Sequence, residues 1–381
     1  LDVVLDYQTL EKRSVNELIL EDEPSLWRYL PLLPVPRLIG EGTPLRSAGW
    51  TPSYTPPALR EDLGLERLWV KDESGNPTAS FKDRASALLI ARAREIDAEV
   101  IVTASTGNAG AALAGMAAAV GHDSVIFAPQ SAPPAKITQL LIYGARVILV
   151  DDNYDAAYAL SLEATEAFGW YNRNTGYNPF TAEGKKTAAF EIWEQVLLKH
   201  DFERPLCVFV SVGAGNIISG IHKGFRDLYQ IGQLEHMPRI FGCQSTGSAA
   251  IANAYQAGTE EFKPVAADTL ADSISVNLPS DGLRALRAAT HTKGAYIAVE
   301  DSDILEAIAD LGRVGIFAEP AGSTSYAGLK KALDSGQITP EDPVLVLNTG
   351  SGLKDVSAAM EVAPEAPVIK PTLEEVKKLL A

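Results

Sequence analysis

From Ala98 to Phe168 the chain alternates short apolar runs with helical patterns three times, which restricts it to a parallel sheet covered by helices. AEVIVTAS from Ala98, SVIFAP from Ser124 and ARVILVD from Ala145 read as strands. AGAALAGMAAAV from Ala109, PPAKITQLLIYG from Pro133 and the stretch from Tyr154 to Phe168 read as helices. The pattern resumes with CVFVSV from Cys207, a helix from Asn216, and RIFGCQS from Arg239, AYIAVED from Ala295 and PVLVLNTG from Pro343 as strands. These strand runs are continuously apolar, as expected where both faces of a sheet are buried. Residues 46–60 are turn-rich and predict a surface loop, and TLEEVKKLLA predicts a terminal amphipathic helix.

The 381 residues suffice for two substructures, and a hydrophobic fraction of 46% supports a large core. The net charge of −16 argues against a nucleic-acid surface or an anionic membrane, and an anionic substrate requires a locally basic pocket. Cys207 and Cys243 form no disulfide framework or metal motif, so a reducing, cytoplasmic setting is expected. No apolar run approaches a membrane span, and no signal peptide is evident. The first residue is Leu1, so the natural start is expected upstream. His122, His200, His222, His236 and His291 show no ligand spacing, and no metal is expected.

The most informative stretch is WVKDESGNPTASFKDRASALLIARARE, Trp69 to Glu95: a strand, a polar turn and a helix with Lys82 in its first turn. The positive end of the helix dipole disfavours an ammonium there. With burial it favours the neutral amine that Schiff-base chemistry needs. Alone, a lysine near a helix start is an ordinary solvated residue, and Arg92, Arg94 and Glu95 read as a solvated face. Two further turns link strands to helix starts. TASTGNAG, Thr103 to Gly110, offers backbone N–H groups with the hydroxyls of Ser105 and Thr106 to an anion. SVGAGNIISG, Ser211 to Gly220, suits a phosphate, but lacks the GK[ST] of a Walker loop and the spacing of a dinucleotide fingerprint.

SGNPTASFKDR around Lys82 resembles the cofactor-lysine segment of the threonine synthases, within the fold-type-II pyridoxal-phosphate enzymes (tryptophan synthase beta-like). Ala79 stands where that family usually has Gly. STGN, SVGAGN and LNTGSGLKD (Leu347 to Asp355) follow in the family order. GEGTPL at Gly40, EGKKTAAFEIWEQ from Glu183 and EPAGSTSYAGL from Glu319 add weaker agreements. LDVVLDYQTL resembles the stretch after a zinc ribbon found in some members, a ribbon that would lie before Leu1.

The resemblance implies pyridoxal 5'-phosphate held by Lys82 as a Schiff base. It implies Asn108 on the cofactor's phenolic oxygen, Gly213, Ala214, Gly215, Asn216 and Ile217 around its phosphate, and Thr349 facing its ring nitrogen. Ser105 and Thr106 would bind the substrate carboxylate, with Lys185 and Lys186 as further substrate contacts. It also implies two αβα domains with mostly parallel sheets: residues 1–84 plus 181–381 as the large cofactor domain, and 85–180 as the small one. The implied reaction turns O-phospho-L-homoserine and water into L-threonine and phosphate, in a homodimer.

The chain departs from the family at NPFTAEGKKT, where Thr181 stands at the position of an Arg in many members and Lys185 replaces a Gln. An Arg is a bidentate oxyanion clamp. Either Lys185 or Arg173 compensates, or the substrate lacks a phosphate. Thr181 and ADSI at Ala271 therefore keep open an amino-acid ammonia-lyase of the serine/threonine dehydratase type, or a β-replacement enzyme. A non-catalytic cofactor-binding protein is the third reading, disfavoured by Lys82.

Overall fold

Alternate residues of the apolar runs enter different cores, which is why the runs lack polar gaps. In the strand Cys207–Ser211, Val208 and Val210 pack into one core while Cys207 and Phe209 pack into another across the sheet. The computed structural model describes residues 2–381; Leu1, the first residue of the expected large domain, lies outside them.

Among the described residues ten strands form two sheets. They are β1 (Ser53–Tyr54), β2 (Leu68–Asp72), β3 (Val100–Ala104), β4 (Asp123–Pro129), β5 (Arg146–Val150), β6 (Tyr171–Asn172), β7 (Cys207–Ser211), β8 (Arg239–Ser245), β9 (Tyr296–Val299) and β10 (Val344–Asn348). One sheet runs β1-β2-β10-β7-β8-β9, the other β5-β4-β3-β6. Every pairing is parallel except that of β1 with β2. This is the expected α/β class.

The helices begin where their sequences allow. Asn153 caps Tyr154–Phe168 by accepting from the Ala156 N–H, and Gly169 ends that helix in the left-handed conformation. The helices Asn108–Ala119 and Asn216–Gln230 follow directly from the ends of β3 and β7. Lys82–Glu95 forms the helix that β2 leads into. It packs against Phe180–Lys185, where Gly184 lets the Arg84 carbonyl approach.

Residues 46–60 are not a surface loop throughout: they contain β1 and the helix Pro57–Asp62, and Thr51 is buried. The cause is a distant charge network. The N–H groups of Trp50 and Thr51 donate to Glu191, and the Thr51 carbonyl accepts from Lys71. Leu373–Leu380 forms the expected terminal helix and buries no residue.

Candidate active site

The ends of β2 and β10 meet at the turn that leads into Lys82. The Phe81 N–H donates to the Thr349 carbonyl at 2.9 Å, and the Ser351 N–H to Ala79 at 3.1 Å, sewing the end of β10 to the turn before Lys82. That turn holds Ala79 at φ +62°, a conformation that suits glycine. Asp83, next to Lys82, accepts from the Thr78 N–H at 2.6 Å and from its hydroxyl at 2.5 Å. Burial nevertheless pushes the Asp83 carboxyl up to about 6.

Lys82 is the first residue of its helix, as the sequence predicts, and remains partly accessible. Desolvation by the surrounding protein lowers its ammonium to about 8; Arg173 and Lys354 push the same way, and Glu319 opposes them. Thr106, Gly107 and Asn108, with Thr78, Glu319 and Lys354, line a cavity of about 400 Å³. Across it, Lys136 pairs with Asp272 at 2.5 Å.

The second loop has the form of an anion cradle. Gly215 takes φ +95° just before the Asn216 helix, and a Cβ there would sit 2.8 Å from the Asp281 carbonyl. A Cβ on Gly213 would meet the Ile274 Cα at 2.8 Å. The buried Ser211 hydroxyl just before this loop has no partner among the described residues. Tight glycines, a helix N-terminus and an orphaned hydroxyl fit a phosphate.

The expected residues distribute unevenly. Asn108 directs its amide to both Glu319 oxygens, at 2.8 and 2.9 Å. Ser105 and Thr106 are partly accessible before the Asn108 helix. Thr349 is buried beside the Lys82 turn. Lys185 is buried with its ammonium on Asn216 Oδ1 at 2.6 Å, so it stands at the cradle and not at the Ser105–Thr106 loop. Burial drives its pKa well down, with Arg173 and Lys82 adding to the effect. Lys186 does not reach the site: its ammonium is taken by Glu183 at 2.6 Å and Asp227 at 3.0 Å. Thr181 donates to the Asn178 carbonyl at 2.7 Å and to Asn216 at 3.2 Å.

Glu319, Lys354 and Asp83 also belong to this surround, and the sequence reading gave none of them a role. The signal available for all three was their place inside motifs already singled out, EPAGS, GSGLKD and SGNPTASFKDR. Burial raises the Glu319 carboxyl, against the Asn108 hydrogen bonds and the nearby Lys82. Among the described residues no cluster of His, Cys, Asp or Glu could hold a metal ion, and no helix is long and apolar enough to cross a membrane.

An amine of lowered pKa at a helix start, beside an anion cradle at parallel-strand ends, defines an enzyme that anchors a phosphorylated aldehyde cofactor. The family model described as pyridoxal-phosphate dependent enzyme matches residues 45–350, and the chain belongs to that family. Within it the chain stands among the threonine synthases. It is 35% identical to threonine synthase of Methanocaldococcus jannaschii, over 100% of this chain and 93% of that protein. Threonine synthase of Synechocystis is 35% identical over 92% of this chain and 89% of its own length. In fold the chain is similar to threonine deaminase isoform 2 of Solanum lycopersicum, at TM-score 0.71 and 23% identity over 82% of this chain and 83% of that one. Maize serine racemase gives TM-score 0.68 and 23% identity over 82% and 91%.

Proposed function

We propose that this enzyme converts O-phospho-L-homoserine and water to L-threonine and phosphate. The observation that carries the reading is Lys82, whose amine titrates near 8 in a cleft flanked by two anion-binding turns. Identity to threonine synthases along the whole chain supports it.

Lys82 would hold the cofactor through its aldehyde, the turn from Gly213 to Ile217 would hold its phosphate, and Thr349 and Asn108 would serve its ring. Bound there, pyridoxal phosphate supplies an electron sink for charge developing at the substrate's α-carbon. Ser105, Thr106 and the start of the Asn108 helix bind the substrate carboxylate. Desolvation holds the Lys82 amine below the ordinary lysine range, so Nζ, when not bonded to the cofactor, can take a proton from one carbon and return it to the next. Thr349 offers a neutral hydroxyl, which leaves the ring a weaker electron sink and suits elimination and replacement. Asn108, held by Glu319, is positioned before the substrate arrives.

The two sheets support a division into residues 1–84 with 181–381 and residues 85–180, closing on the substrate. Superposable free and ligand-bound structures would count against closure. A cytoplasmic homodimer completes the proposal, and sedimentation tests the dimer. Activity is tested by incubating purified holoenzyme with phosphohomoserine, then separately with serine and threonine. Phosphate and threonine from the first alone support the synthase. Keto acid from the others, without phosphate release, would replace it with an ammonia-lyase.

A further inference from the structure

Most buried cations of this chain face carboxylates. Lys71 and Arg84 pair with Glu191, and Lys186 and Lys223 share Glu183 and Asp227. Arg173 breaks the pattern. It is 0% exposed, yet among the described residues only its Nη1 finds an acceptor, the Thr175 hydroxyl at 3.3 Å, while Nε and Nη2 bond nothing. Lys185 is 1% exposed and rests on a neutral amide oxygen. A buried guanidinium with two dry nitrogens is costly unless an anion completes it. In a chain of net charge −16, two buried cations without a carboxylate partner are the locally basic feature that an anionic substrate needs.

The two cations belong to different loops. Lys185 reaches Asn216, in the turn assigned above to the cofactor's phosphate. Arg173 follows β6, and its N–H donates to the Val102 carbonyl at 2.8 Å. Its neighbour Asn174 accepts from the Thr103 hydroxyl at 2.9 Å and the Ala104 N–H at 2.8 Å. Arg173 is thereby fixed to β3, the strand that leads into Ser105 and Thr106, which are assigned above to the substrate carboxylate. Thr181 brings no charge to either side.

We infer that Arg173 grips the phosphate of the substrate through its free Nε and Nη2 and so selects a dianionic leaving group, while Lys185 serves the cofactor's cradle. The inference rests on the function proposed above. It assigns the arginine that position 181 lacks to the end of β6.

The test compares wild-type, R173Q, R173K and K185Q holoenzymes. Inorganic phosphate binding is read by calorimetry, and binding of 2-aminobutyrate, an amino acid without phosphate, by the shift of the cofactor's visible band. R173Q is expected to bind inorganic phosphate about 100-fold more weakly and 2-aminobutyrate within about threefold of wild type. The kcat/KM for phosphohomoserine should fall in parallel with phosphate affinity. R173K, with the charge but not the planar fork, should lie between. K185Q should lose cofactor more readily while keeping its phosphate affinity. Phosphate affinity within about twofold of wild type in R173Q overturns the inference, as does the same result in R173K should R173Q fail to retain cofactor. An equal loss of phosphate affinity in K185Q overturns the division of roles. A wild type that binds phosphate through Arg173 but makes no threonine from phosphohomoserine overturns the proposed reaction and leaves the anion site standing.

Discussion

Replacing Glu191 with Gln removes one of four charges from a sealed cluster beneath the active site. Lys71 and Arg84 supply two positive charges, Glu73 and Glu191 two negative ones, and all four side chains are fully buried. Glu191 accepts from the Lys71 ammonium at 2.7 Å, from both Nη groups of Arg84, and from the N–H groups of Trp50 at 2.7 Å and Thr51 at 3.1 Å. Burial pushes its carboxyl up, but Arg84 and Lys71 outweigh that and hold it at about 2, against the usual 4.5. The stability this contributes is present above the ordinary carboxylate range and is lost as pH falls below it.

Glutamine keeps the shape and leaves one uncompensated positive charge, so E191Q should lose about 3–5 kcal/mol at pH 7. Part of that loss should return at higher pH. Burial already lowers Lys71, and without Glu191 its ammonium has less to hold its proton. A base depressed in the folded state binds fewer protons than when unfolded, so the variant gains up to about 1.4 kcal/mol per pH unit below the ordinary lysine range. Urea unfolding followed by far-UV circular dichroism at pH 7 and pH 9 reads both effects. A variant within about 1 kcal/mol of wild type at pH 7, or a deficit that does not shrink at pH 9, would refute the reasoning. Because Arg84 lies two residues after Lys82, the same substitution should also weaken cofactor retention.

Capture of added cofactor by cofactor-free protein should accelerate through a midpoint near pH 8, since the neutral Lys82 amine reacts; stopped-flow absorbance reads it, and a midpoint near 10.5 would contradict the lowered value. Gly215→Ala forces a Cβ against the Asp281 carbonyl at φ +95°, so cofactor affinity should fall and stability drop by about 1–3 kcal/mol, checked by equilibrium titration and unfolding. Ala79→Gly relieves a left-handed alanine and should stabilise the fold by about 1 kcal/mol, less the extra freedom glycine has when unfolded. A lowered unfolding midpoint would show that the Ala79 methyl contributes packing that outweighs the strain.

The parallel sheets were legible because continuous apolar runs such as CVFVS can only belong to strands covered on both faces, and β7 is so covered. The helix from about Tyr154 to Phe168 was legible from its pattern, and its ends are set locally, by Asn153 as the start signal and Gly169 as the stop. Lys82 was placed by the strand–turn–helix pattern around it. The adjacent Lys185 and Lys186 were not separable. Successive helical residues point about 100° apart, and no local feature says which one meets Asn216 and which meets Asp227. The burial of Thr51 was hidden for a related reason: its partner Glu191 lies 140 residues away. The sequence offered Arg173 only as one of two cations that could stand in for the missing arginine; its burial beside β3 emerges once β6 is paired with that strand.

Borohydride reduction of the yellow holoenzyme, followed by proteolysis and mass spectrometry, tests the central claim most directly. A single phosphopyridoxyl group on Lys82, with the visible band bleached, is the predicted result. Label on another lysine, or unlabelled Lys82 in protein that retains its colour, would contradict it.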